Sequence, residues 1–201
     1  MKTALIHEVI GDTDIYLVDQ ILKGRYDDKD LVLDAGCGSG RNMHWFLQNS
    51  VCIYGVDMDA ACILDLKQEN PTLPPMRLQV TRLNFLPFGD QFFHHIISSA
   101  VLHFAESAGH FFTMLTELVR VLKTNGTLFI RMTSDIGIEH LVKEINDGVY
   151  DLPDDTTRFL LTRPVLKNIL LKYPLALIEP FKTVNVTDQR SMSVLMLQKT
   201  P

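Results

Sequence analysis

The chain has 201 residues, of which 46% are hydrophobic and 21% charged, and its formal net charge is −5. This size and composition are typical of one compact globular domain, so we expect residues 1–201 to fold as a single domain. The acidic balance argues against a nucleic-acid partner, because a phosphate backbone favours a basic surface. No segment has the apolar length of a membrane span, and charge appears too early for a signal peptide, so we expect a cytoplasmic protein with no membrane partner.

A helical pattern over Asp14–Leu22 comes first and predicts an N-terminal helical cap within residues 1–30. Strand-like and helix-like stretches then alternate through a core at residues 31–131. This alternation predicts a doubly wound α/β fold with a mostly parallel sheet and helices on both faces. The predicted core strands are 31–33, 52–56, 76–80, 95–99 and 127–131, and the predicted helices are 41–48, 60–68 and 111–122, with Asn125-Gly126 as the turn that ends the last helix.

The pattern is looser over residues 132–201, where we expect a substrate lid at Thr133–Thr157, a helix at 163–173 and closing strands at 175–178, 183–186 and 193–198. Only six residues separate the last two strands, which is too few for a parallel crossover. A hairpin and an antiparallel C-terminal strand are therefore predicted. The turn holds Arg190, which could either contact substrate or be solvated.

Three glycines at alternate positions, Gly36, Gly38 and Gly40, directly follow the first strand and precede a helix. Glycine permits a tight turn and close approach of a ligand to the backbone. Asp57 ends the second strand, roughly 20 residues further on, where a carboxylate can accept hydrogen bonds from ribose hydroxyls. The combination predicts a nucleoside-binding site.

The spacing of the glycines favours one nucleoside cofactor over another. A dinucleotide motif needs its third glycine at the position of Arg41, and the carboxylate of Asp34 would repel a pyrophosphate. The same carboxylate suits a ligand with a cationic amino group, such as S-adenosylmethionine (SAM). A dinucleotide-dependent oxidoreductase is therefore disfavoured. The three cysteines form no CxxC pair, and no cluster has metal-ligand spacing, so no metal site is predicted.

Five motifs in order give the chain a resemblance to the class I SAM-dependent methyltransferases, and the tail resembles small bacterial members of unassigned substrate. The motifs are Leu31–Asn42, Gly55–Asp59, Leu86-Pro87-Phe88, Ser98–Phe104 and Arg120–Leu128. The resemblance implies a Rossmann-like, seven-stranded sheet and SAM as cofactor, with S-adenosylhomocysteine as product. The implied cofactor-binding residues are Asp34, Gly36, Gly38, Ser39, Gly40, Asn42, Asp57, Met58, Leu83 and Ser99.

One departure from the family pattern concerns the adenine. Family members often carry an aspartate where this chain has Arg82, which cannot accept a hydrogen bond from the adenine amino group. Asn84 or a backbone carbonyl could substitute, or packing alone could hold the ring.

Candidate catalytic residues follow the later strands, where ligands bind in open α/β sheets. His103 could act as a general base near neutral pH or could simply close a turn. Arg131 and Asp135 could contact substrate or form surface ion pairs. Tyr16 and Arg25 could cover the cofactor, or their helix could only pack on the sheet.

We expect methyl transfer to a small-molecule acceptor, since the chain is short, acidic and without an added recognition domain. A methyltransferase acting on protein or RNA, and a SAM-binding protein without catalysis, are the alternatives.

Overall fold

The computed structural model describes residues 3–201; Met1 and Lys2, which belong to the predicted N-terminal cap, lie outside the described residues. The helices are α1 Thr3–Ile10, α2 Ile15–Leu22, α3 His44–Gln48, α4 Ala60–Glu69, α5 Ala108–Val121 and α6 Arg163–Lys172. The strands are β1 Leu31–Ala35, β2 Cys52–Asp57, β3 Leu78–Val80, β4 Phe93–Ser99, β5 Leu122–Ser134, β6 Lys143–Asn146, β7 Val149–Asp151, β8 Thr157–Phe159, β9 Leu175–Leu177, β10 Lys182–Val186 and β11 Arg190–Lys199. None of the described helices has the length and apolarity needed to cross a membrane.

The central sheet has the order β3-β2-β1-β4-β5-β11-β10. The neighbours from β3 to β5 pair in parallel, whereas β11 is antiparallel to both β5 and β10. The short β9 pairs with the C-terminal part of β11, so β10 and β9 share the edge position. This topology confirms the predicted doubly wound, mostly parallel sheet with an antiparallel C-terminal strand.

The register of the closing strand agrees with the predicted hairpin. Ser193 lies opposite Met132, and Gln198 lies opposite Thr127. Residues 187–189 join β10 to β11. The first pair after this turn is Val186 opposite Arg190, and the last is Lys182 opposite Val194. The prediction that 193–198 runs antiparallel to 127–131 is confirmed.

Two apolar cores sandwich the sheet because consecutive strand residues point to opposite faces. Leu33 belongs to one core and Val32 to the other, and Leu128 and Phe129 divide in the same way. Helices α5 and α6 contribute to the first core, and α2, α3 and α4 contribute to the second. Both faces of the strands are therefore buried, and the exposed ends of the parallel strands remain to form a site.

Two predicted helix boundaries are wrong. The helix expected from Arg41 begins at His44, since residues 41–43 still form turns after the glycine loop. The helix expected over 111–122 is α5, which begins three residues earlier, at Ala108, and ends at Val121, one residue before the predicted end, so Asn125-Gly126 is not the turn that ends it. These two residues lie inside β5, at its irregular pairing with β4. Asn125 has φ +65°, and a Cβ on Gly126 would lie 2.7 Å from the carbonyl oxygen of His94.

The segment predicted as a substrate lid forms part of a second, small sheet. Strands β6, β7 and β8 pair antiparallel in that order. An isolated bridge from Ser134 to Leu161 ties the end of this sheet to the end of β5. The small sheet therefore stands at the carboxyl end of the central strands.

Candidate functional site

The glycine turn joins β1 to α3, and its three glycines have different tasks. All three have positive φ: +84° at Gly36, +50° at Gly38 and +79° at Gly40. A Cβ on Gly36 would lie 2.3 Å from Val101 Cγ2, and one on Gly40 would lie 2.5 Å from Leu66 Cδ2. A Cβ on Gly38 would meet no heavy atom within 4 Å. Packing thus requires the outer two glycines, and the middle one faces open space where a ligand can approach the backbone.

Asp57 at the end of β2 is tied to this turn. Its Oδ2 accepts a hydrogen bond of 2.8 Å from the backbone N–H of Gly38, and its Oδ1 accepts one of 2.9 Å from Asp59 N–H. Each carboxylate oxygen can accept a further bond. The carboxylate is therefore oriented in advance and can still receive two hydroxyl groups.

Asp34 is a buried acid without a counter-charge. Its side chain is 1% exposed, and neither carboxylate oxygen has a hydrogen-bond partner among the described residues. Burial raises the pKa of Asp34 to about 7, although the nearby Arg41 opposes the shift. A cationic group bound over the glycine turn would supply the missing positive charge, since electrostatic attraction is strong where water is excluded.

A pocket of about 450 Å³ opens above the turn, and we call it the glycine-turn pocket. Eight predicted cofactor residues line it: Gly36, Gly38, Ser39, Asn42, Asp57, Met58, Leu83 and Ser99. Asp34 and Gly40 do not line it, in keeping with the burial of the first and the packing of the second against α4. The structure therefore brings most of the predicted residues to one cavity.

The lining of this pocket allows the alternative ways of holding the adenine ring to be compared. Arg82 lines it together with Leu83 and Met58, whereas Asn84 is exposed and does not. The carbonyl oxygen of Arg82 already accepts a bond of 3.1 Å from Phe85 N–H. This arrangement favours packing, rather than acceptance of a hydrogen bond by Asn84, as the means of holding the adenine ring.

Asp14 is a residue of the site that sequence reasoning missed. Its backbone N–H donates to Asn42 Oδ1 at 3.0 Å, and its Oδ2 accepts from Ser99 Oγ at 3.4 Å. The same oxygen lies 3.2 Å from Arg131 Nη1 and 3.6 Å from Arg41 Nη2. Asp14 is the first residue of the predicted helical pattern, and in the structure it is the residue that caps α2. Its links to the strand ends had no signal in the sequence.

A second cleft, of about 580 Å³, adjoins the first and shares Ala100 and Phe104 with it. We call it the arginine cleft; its other lining residues are His103, Arg131, Asp154, Arg158, Val186, Gln189, Arg190 and Met192. Ala100 has φ +62°, a left-handed conformation that costs a residue with a Cβ about 1–2 kcal/mol. Such strain is common at functional sites, and here it lies at the junction of the two cavities.

His103 lies in the wall of the arginine cleft and is 4% exposed. Its Nδ1 accepts a hydrogen bond of 3.2 Å from Thr133 N–H, so the neutral ring carries its proton on Nε2. Burial first, and then the charges of Arg158, Arg190 and Arg131, lower the pKa of His103 to about 4. The imidazole is therefore neutral at pH 7 and is a hydrogen-bond donor rather than a strong proton acceptor.

The other two catalytic candidates are placed differently. Arg131 lines the arginine cleft and pairs with Asp14, and its guanidinium lies 5.9 Å from the ring centre of Tyr16. Asp135 lines neither cavity; its buried Oδ1 has no partner among residues 3–201, and burial raises its pKa. Tyr16 thus lies beside the site, whereas Arg25 bonds Gln20 and Glu179.

Comparison with known proteins identifies the central domain. The family model described as a methyltransferase domain matches residues 33–130, which include the glycine turn, Asp57 and the end of β4. The chain therefore contains a SAM-dependent methyltransferase domain. The enzyme uses SAM as its cofactor. The glycine-turn pocket fits that group, because Gly38 faces open space and the unpartnered carboxylate of Asp34 is buried directly before the turn.

Several solved structures of methyltransferases share the fold of this chain, although their sequence identity to it is low. A SAM-dependent methyltransferase from Methanosarcina mazei is 18% identical, with a TM-score of 0.71 over 90% of this chain and 97% of that one. The Burkholderia thailandensis 1,6-didemethyltoxoflavin-N1-methyltransferase is 18% identical, with a TM-score of 0.70 over 99% and 82%. A putative methyltransferase from Listeria monocytogenes is 14% identical, with a TM-score of 0.68 over 94% and 100%. No curated protein matches the sequence.

Proposed function

We propose that the enzyme transfers the methyl group of SAM to a small-molecule acceptor held in the arginine cleft. The observation that supports this is the cleft itself, which has a volume of about 580 Å³ and joins the glycine-turn pocket at Ala100 and Phe104. Binding sites for small ligands typically have volumes of about 300–1,000 Å³. A methyl donor in one cavity would therefore face an acceptor in the other.

The walls of the cleft support a small acceptor rather than a macromolecule. They come from four separate segments that converge on one space: the segment after β4, the end of β5, β8 with the loop before it, and the β10–β11 hairpin. Asp154 and Arg190 bond across the rim and join two of these segments. The structurally similar Burkholderia enzyme was solved with 1,6-didemethyltoxoflavin and S-adenosylhomocysteine bound, and 1,6-didemethyltoxoflavin is a small molecule.

The residues in and beside the glycine-turn pocket take the roles that the family resemblance implies. Asp57 accepts the ribose hydroxyls, Met58 and Leu83 pack on the adenine, and the turn holds the methionine portion with Asp34 opposite its amino group. The bound cofactor supplies an electrophilic methyl group on a sulfonium. The protein contributes alignment and exclusion of water, which can supply much of the acceleration of a displacement reaction.

In the arginine cleft, His103 donates a hydrogen bond to the acceptor through Nε2, and Arg131 places a positive charge in the wall of the cleft. Asp135 has no direct role in this proposal, because it lines neither cavity. The segment Thr133–Thr157 acts as the predicted lid mainly through Asp154, which lines the cleft from that segment.

The test is incubation of the protein with methyl-labelled SAM and a cell extract divided into small molecules, protein and RNA. We expect label only in the small-molecule fraction. Asp57→Ala should remove the label, and Asp65→Asn, on the exposed side of α4, is the matched control that should leave it unchanged. Label in protein or RNA alone would contradict the proposal.

A further inference from the structure

The arginine cleft contains more positive charge than its own carboxylates neutralise. Arg131, Arg158 and Arg190 all line it, and Asp154 is the one acid among its lining residues. Asp154 bonds Arg190 through Nε at 2.7 Å. Arg131 pairs with Asp14 from outside the lining set, at 3.2 Å. Two of the three guanidiniums thus have a carboxylate partner.

Arg158 is the guanidinium that is left over. Within residues 3–201 no carboxylate lies within ion-pair distance of it, and its Nη1 donates only to the carbonyl oxygen of the adjacent Thr157. Its Nε is buried and has no partner, and the Nε of Arg131 is in the same state. Buried N–H groups of this kind cost free energy unless a ligand or ordered water accepts from them.

The position of Arg158 is fixed by packing. Its guanidinium carbon lies 4.8 Å from the ring centre of Phe104, one of the two residues that both cavities share. Stacking on an aromatic ring leaves the planar N–H fork free to bond in its own plane. His103 adds a further donor to the same wall, because its Nδ1 is occupied by Thr133.

From this excess of donors we infer that the acceptor carries an anionic group, a carboxylate or a phosphate, which binds to Arg158 with Arg131 beside it. The inference rests on the proposed function and names the class of its substrate. Guanidinium groups pair with carboxylate and phosphate through two parallel hydrogen bonds, which gives orientation as well as affinity. The anion end of the acceptor would be fixed by these side chains, and the methyl-accepting atom would extend past Phe104 towards the glycine-turn pocket.

The first experiment measures anion binding directly and needs no knowledge of the natural substrate. The Nε–Hε signals of 15N-arginine-labelled protein with bound S-adenosylhomocysteine are followed by NMR during titration with benzoate, phenyl phosphate or benzamide. We expect saturable shifts of the Arg158 signal with benzoate or phenyl phosphate, and the stronger of the two identifies the anion. Benzamide, a neutral analogue of the same shape, should bind at least tenfold more weakly.

Two variants sharpen this test. Arg158→Gln should weaken anion binding at least tenfold, while Arg163→Gln, an exposed arginine at the start of α6, should leave it unchanged. Equal shifts with benzamide and benzoate, absence of shifts with both anions, or full anion affinity in Arg158→Gln would each overturn the inference. The comparison with benzamide uses wild-type protein and stands even where the variant fails to fold.

A second experiment separates this inference from the proposed function. The small-molecule extract is divided on an anion exchanger at pH 11, where most amino groups are neutral and zwitterionic carboxylates are therefore retained as well, and both fractions are returned to pH 7 before reaction with labelled SAM. Label formed from the retained fraction supports an anionic acceptor, and label formed only from the unretained fraction overturns it while leaving the proposed function intact. Label in neither fraction counts against the proposed function, and the NMR titration then decides the inference on its own.

Discussion

Replacement of Asp34 by asparagine should make the cofactor-free protein more stable in a way that depends on pH. The carboxyl group has an ordinary pKa of 3.8, which rises to about 7 in the folded protein because of burial. Between these two pH values the folded state binds more protons than the unfolded state, so stability falls as pH rises through this window. Above pH 7 the fall in the free energy of unfolding is complete. It amounts to about 4 kcal/mol, at about 1.4 kcal/mol per pKa unit.

Asparagine has a similar shape and does not titrate, so any cost of burying its amide is the same at every pH. The advantage of Asp34→Asn over wild type should therefore widen by about 2.5 kcal/mol between pH 5 and pH 8. Urea unfolding at pH 5, 6, 7 and 8 measures this difference. Asp65→Asn is the control, because that side chain is exposed and should show no such trend.

Cofactor binding should oppose the stability advantage of Asp34→Asn over wild type. With S-adenosylhomocysteine bound, a cationic amino group opposite Asp34 favours the ionised carboxylate, so the variant should bind this ligand more weakly at pH 8. Calorimetry in buffers of different ionisation enthalpy should detect proton release on binding near pH 6.5 in wild type and not in the variant. A constant stability difference from pH 5 to pH 8 would refute the reasoning.

Three further predictions concern the walls of the site. Asp57→Ala should weaken SAM binding by about 1.5–3 kcal/mol, the range for hydrogen bonds to a charged group, and unchanged affinity by calorimetry in the folded variant would remove Asp57 from the site. Gly36→Ala should lower the melting temperature more than Gly38→Ala, because its Cβ would collide with Val101, whereas Gly38→Ala should mainly reduce SAM binding; the reverse order would contradict the assigned tasks. The kcat profile should show no inflection from His103 between pH 6 and 8, since the pKa of that ring is about 4, and an inflection abolished by His103→Gln would count against a neutral donor.

The parallel core of the fold was predictable because its signals are local. Apolar runs such as Leu31-Val32-Leu33 and the glycines that follow them specify a strand and a turn within a few residues. Two features were not predictable. Strand β6 is exposed at all four residues and shows no alternation of apolar and polar side chains, so it left no pattern to detect. The interpretation of Asn125-Gly126 as a helix-ending turn was wrong because these residues have the composition of a helix stop but lie inside β5.

The same division applies to the site. The glycine-turn pocket was predictable because Gly36–Gly40 and Asp57 lie at the ends of two adjacent parallel strands, which the alternating pattern specifies. The arginine cleft was not, since Arg158 and Arg190 come from the small sheet and the hairpin, whose placement depends on tertiary packing. Among its residues, the sequence pointed to His103 and Arg131 through their strand-end positions and raised Arg190 as one of two alternatives for the turn.

The position of β11 has a consequence for the order in which the two cavities can form during synthesis. All lining residues of the glycine-turn pocket lie between positions 36 and 114, whereas the arginine cleft needs Arg190 and Met192 from β11. Strand β11 is translated after the other ten strands, yet it inserts between β5 and β10 rather than adding to an edge. The residues that line the glycine-turn pocket have therefore all been translated before β11, whereas the arginine cleft is complete only after β11 has been translated and has joined the sheet.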